Sequence, residues 1–96
     1  MEMVKKVNGE ELVVEVSGRL DTATAPDFDK FMAENLVGVK NLLLDVKALE
    51  YVSSAGLRVL LATQKRMKGA MKLKNVCELV MEVFEMTGFL DILTIE

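Results

Sequence analysis

Strand-like and helix-like segments take turns along this chain. That predicts one α/β domain over residues 1–96, a mixed β-sheet with helices packed against it in the order ββαβαβαβ. Three observations carry the prediction. Asn8-Gly9 separates two β-rich runs, Leu42-Leu43-Leu44 is unbroken, and Val76, Leu79, Val80, Val83 and Phe84 recur at helical spacing.

Residues 3–7 and 12–17 read as paired strands, because Asn-Gly suits the positive φ of a tight hairpin. Leu12, Val14 and Val16 share one face of the second strand, and Gly18 is expected to end it. The first helix follows Thr22 and opens at Thr24, with Asp27 as its capping partner and Pro26 in the first turn. Phe28, Phe31, Met32 and Leu36 form its inward stripe. Residues 39–46 read as a central parallel strand covered on both faces. It runs into Ser53-Ser54, after which Leu57, Leu60 and Leu61 make the buried stripe of a second helix that ends near Gly69. Met71 and Leu73 belong to a short strand. Asn75 and Glu78 suit the cap of the third helix, Gly88 its end, and residues 92–95 the last strand. Right-handed crossovers should join the parallel strands.

With 51% hydrophobic residues, 96 residues suffice for one core. A net charge of −3, with no Trp and one Tyr, disfavours direct nucleic-acid binding, which needs a basic patch and often stacking aromatics. Histidine is absent, which removes the commonest general base and metal ligand. Cys77 is the only cysteine and reads as an unreactive thiol. The first residues lack the layout of a signal peptide, and no apolar run approaches the roughly 20 residues of a membrane span. A cytoplasmic protein without membrane insertion is expected.

Asp21 and Asp45 both precede helices, where they either form a carboxylate pair for acid/base work or serve as a cap and a strand-end hydrogen bonder. With no glycine-rich phosphate loop or dinucleotide fingerprint, the second role is preferred, and neither an enzyme, a cofactor nor a metal is assigned. The serine turn is richer. A helix start attracts anions through its unpaired N–H groups and positive dipole end, although on spacing alone Ser53 or Ser54 reads first as its cap. Gly56 in the first turn costs about 1 kcal/mol relative to alanine, which suggests close approach to this backbone. Ala55, Arg58, Ala62 and Lys65 share the side opposite the leucines. That is either a solvated face or a shallow, positively fringed docking surface.

Gly18-Arg19-Leu20-Asp21-Thr22, Leu42-Leu43-Leu44-Asp45-Val46, Ser53-Ser54-Ala55-Gly56-Leu57 and Met86-Thr87-Gly88-Phe89 occur in that order. Together they resemble the STAS domain of bacterial anti-sigma factor antagonists over almost the whole chain. The resemblance implies a STAS-like fold and a protein that sequesters an anti-sigma factor with serine kinase activity, freeing a sigma factor. It also implies phosphorylation of one serine at the second helix start by that partner, with a separate protein serine phosphatase to reset it. Alignment of Gly56 and Leu57 places the serine at Ser54, with Ser53 as the alternative. Asp21 would take part in partner recognition beside Thr22, Ser53, Ser54, Ala55 and Gly56, and the helix would add Arg58, Ala62 and Lys65. The alternative function is a standalone STAS subunit of a membrane transport assembly, docking on a transporter ATPase through the same face without phosphorylation.

Overall fold

The computed structural model describes residues Met1–Glu96. The strands β1 (Glu2–Asn8), β2 (Glu11–Leu20), β3 (Asn41–Val52), β4 (Met71–Lys74) and β5 (Thr94–Ile95) form one sheet in the order β1-β2-β3-β4-β5. β1 is antiparallel to β2, and every later pair is parallel. The helices α1 (Ala25–Asn35), α2 (Ser54–Arg66) and α3 (Glu78–Met86) fill the crossovers, and a 3-10 turn at Phe89–Asp91 precedes β5. The order ββαβαβαβ is therefore the one read from the sequence.

The expected strand covered on both faces is corrected. Leu42, Leu44 and Val46 are buried beside Leu12, Val14, Val16, Met71 and Leu73, whereas Leu43 and Asp45 are only half-buried. Strand order explains it: when parallel strands follow one another in sequence, crossovers of one hand bring every helix to the same side. The other side stays open and carries polar pairs such as Lys6–Glu15 at 2.7 Å.

Both central strands also run further than expected. Gly18 does not end β2: at φ 91° it sits in an irregular stretch, with register shifts between Glu15 and Ser17 and between Gly18 and Arg19. A Cβ there would lie 3.2 Å from Met1 Cα. Pairing then resumes as Arg19↔Tyr51 and Leu20↔Val52, so backbone hydrogen bonding carries β3 past polar Lys47 and Glu50 to the serine turn.

Each helix differs from expectation in detail. Thr24 occupies the cap position of α1 without a side-chain cap bond, because its hydroxyl donates to Arg19 O at 2.7 Å. In α2, Leu61 is half-buried, and Thr63 lies fully inside, its hydroxyl satisfied by Val59 O at 2.7 Å. Cys77, not Asn75, precedes α3; Asn75 takes φ 62° and donates to Asp45 Oδ1 at 3.1 Å, tying β4 to β3. Val80 and Phe84 are buried from α3, while Leu79 is 52% exposed. Gly88, at φ 77°, ends the helix as expected.

Candidate functional site

The paired ends of β2 and β3 build the site. Ser53 N–H donates to Leu20 O at 2.9 Å, so the turn leaving β3 is fastened to the residue before Asp21. The chain beyond Leu20 and the start of α2 therefore emerge side by side at one end of the sheet.

On the first branch, Asp21 organises the turn. Its Oδ1 accepts from Ala23 N at 3.0 Å and Thr24 N at 3.1 Å, and its own N–H donates to Thr24 Oγ1 at 2.9 Å. The Thr24 backbone bond is the leading reason that the Asp21 carboxyl titrates below its ordinary value, with Ala23, the Thr24 hydroxyl and nearby Arg19 adding to it against desolvation. Thr22 projects into solvent. The Arg19 guanidinium lies 3.7 Å from Asp21 Oδ2 and stacks 4.5 Å from the Tyr51 ring centre. Sequence reasoning singles out neither Arg19 nor Tyr51, because their meeting depends on the shifted strand register.

On the second branch the two serines divide the work. Ser53, extended at φ −90° and ψ 177°, is the cap of α2, and its Oγ accepts from Gly56 N at 3.3 Å. Ser54 is the first helical residue, is exposed, and its hydroxyl makes no hydrogen bond within the protein. Gly56 is buried. A Cβ on it would meet Leu20 O at 2.6 Å, Leu20 Cγ at 2.9 Å and Val52 Cγ1 at 2.9 Å. The close approach that its missing side chain permits is thus internal, between α2 and the strand ends. Gly56 stands corrected as a surface contact and becomes a packing residue.

The outer side of α2 exposes Arg58, Ala62 and Lys65, with Ala55 half-buried. Neither cation joins an ion pair, in contrast to Arg66, which is 3.5 Å from Asp29 on α1. None of the four concavities on the molecule is lined by Asp21, Thr22, Ser53 or Ser54.

Asp45 lies apart from Asp21: it sits opposite Glu15 within the β2–β3 pairing, whereas Asp21 follows the last pair, and Asp45 Oδ1 accepts from Lys47 N at 3.2 Å and from Asn75. Burial would raise its pKa, but the Asn75 and Lys47 hydrogen bonds and the charges of Lys74 and Lys47 outweigh it and hold the carboxyl low. The two aspartates are hydrogen-bond organisers. Cys77 is likewise structural, with Sγ 3.4 Å from Leu49 O.

Asp21, the serine turn and the start of α2 thus meet at one end of the sheet. The family model for the STAS domain matches residues 2–96. The chain is 36% identical over 91 residues to a Bordetella bronchiseptica protein named as a candidate anti-sigma factor antagonist, BtrV, covering 91% of this chain and 78% of that protein. It is 30% identical over 93 residues to the anti-sigma-B factor antagonist of Bacillus subtilis, covering 94% and 85%. The crystal structure of an anti-sigma factor antagonist from Mycobacterium paratuberculosis superposes with a TM-score of 0.87 at 22% identity, covering 98% of this chain and 83% of that one. The chain belongs to the STAS domain family of bacterial anti-sigma factor antagonists.

Proposed function

We propose that the protein binds an anti-sigma factor carrying serine kinase activity, frees a sigma factor by doing so, and lets go when that partner phosphorylates Ser54. One observation favours Ser54 over Ser53: the Ser53 hydroxyl is engaged in the cap, whereas the Ser54 hydroxyl is exposed and unengaged. Exposed Arg58 and Lys65 around small Ala62 suit a partner helix that brings carboxylates. A phosphate adds about −1.5 to −2 charges at pH 7, and a helix N-terminus tolerates it. The partner does not, because an interface fitted to a neutral hydroxyl must then desolvate a dianion close to Asp21. Weakening binding a thousandfold takes only about 4 kcal/mol, which a local clash supplies without refolding. A serine phosphatase resets the switch, and the cycle runs in the cytoplasm.

The test is phosphate mapping by mass spectrometry after incubation with the anti-sigma kinase and ATP. Ser54 carries the phosphate, and Ser54→Ala abolishes incorporation while Ser53→Ala retains it. Dominant modification of Ser53 would reverse the assignment, and no incorporation at either serine would leave docking without a switch.

A further inference from the structure

We propose that the outward side of α3 is a second docking surface, independent of the serine site, that takes a basic amphipathic helix from another protein. The helical period places Leu79, Val83 and Met86 along one line, and the structure leaves Leu79 52% and Met86 86% exposed. Leu90, 41% exposed, follows in the 3-10 turn. Alongside runs a second line, Glu78, Glu82 and Glu85, all exposed and none in an ion pair.

Of these glutamates only Glu78, in the first turn of α3, stands where the helix dipole favours a carboxylate. All 12 Lys and Arg residues lie before Asn75, and the chain from there to Glu96 holds five carboxylates and no cation. Glu78 and Glu82 repel at i, i+4, and Glu85 stands in the last turn of α3, where the helix dipole favours a cation. Cations arriving on a partner would relieve both conflicts while its apolar side covers Leu79 and Met86. The same charges argue against other occupants. An anionic bilayer is repelled, and a two-fold copy would set carboxylates against carboxylates.

The experiment titrates the 15N-labelled protein with a 14-residue peptide of leucines and lysines arranged as an amphipathic helix, and with a scrambled peptide of the same composition. Amide shifts are expected to centre on Leu79, Val83 and Met86, and the helical peptide should bind at least tenfold more tightly than the scrambled one. Leu79→Ser/Met86→Ser and Glu82→Lys/Glu85→Lys should each weaken binding at least tenfold, with circular dichroism unchanged. Should the leucine and methionine changes unfold the domain, the exposed glutamate pair still decides. Equal affinity for the two peptides, shifts centred on α2, or an unaffected charge-reversed variant would overturn the proposal. So would dimerisation of the unliganded protein through these amides, or its binding to anionic vesicles.

Discussion

The Asp21 carboxylate shows how one side chain can hold a site in shape without doing chemistry. It accepts from the N–H of Ala23 and shares the N–H of Thr24 with its own backbone carbonyl, and these bonds lower its pKa below the ordinary 3.8. A carboxyl whose folded pKa is depressed stabilises the fold above its unfolded pKa, and that contribution is lost as pH falls through the folded value. Asp21→Asn should therefore melt below the wild type at pH 6, and the gap should shrink as pH drops under 3.8. Melting curves from pH 6 to pH 2 check this, and a gap constant over the range would show that the carboxylate charge is irrelevant. The division of labour between Ser53 and Ser54 was only half legible in the sequence. Spacing put both at the helix start, but which hydroxyl caps depends on Ser53 being extended and Ser54 helical.

Among the elements, α2 explains why glycine stands where a helix would prefer alanine. Exchange of an interior helix glycine for alanine ordinarily stabilises by about 1 kcal/mol. Here the new methyl would lie 2.6 Å from Leu20 O, a backbone atom pinned by its bond to Ser53 N. Gly56→Ala should accordingly destabilise by about 1–3 kcal/mol, the usual range for overpacking. Denaturant unfolding measures it, and a stabilised variant would mean that α2 can lift off the strand ends freely. The sequence flags this glycine as anomalous but not what approaches it, because the neighbour is Leu20, 36 positions earlier. In α3 the apolar period was legible and its orientation was not: Leu79 fits the stripe as well as Val80 does, and only packing on the sheet separates them.

At the scale of the whole molecule, the element order and the hairpin were open to reading because local chemistry decides them: Asn8-Gly9 for the turn, alternation in β2, and the 3.6-residue period in the helices. Coverage of the sheet was not, since Leu42-Leu43-Leu44 looks the same whether Leu43 meets helices or solvent, and strand order decides which. That same order brings the ends of β2 and β3 together, so that Asp21 and the serine turn share one surface. In the proposed switch, charge at Ser54 governs docking without disturbing the fold. A carboxylate at a helix N-terminus is favoured by about 0.3–1 kcal/mol, so Ser54→Asp should melt at or slightly above the wild-type temperature. The decisive measurement is the dissociation constant for the anti-sigma factor of Ser54→Asp against that of Ser54→Ala, by calorimetry. Near wild-type affinity is expected for the alanine variant and at least about tenfold weaker binding for the aspartate variant, which carries part of the phosphate's charge. Equal losses in the two variants, or wild-type affinity in the aspartate variant, would contradict it.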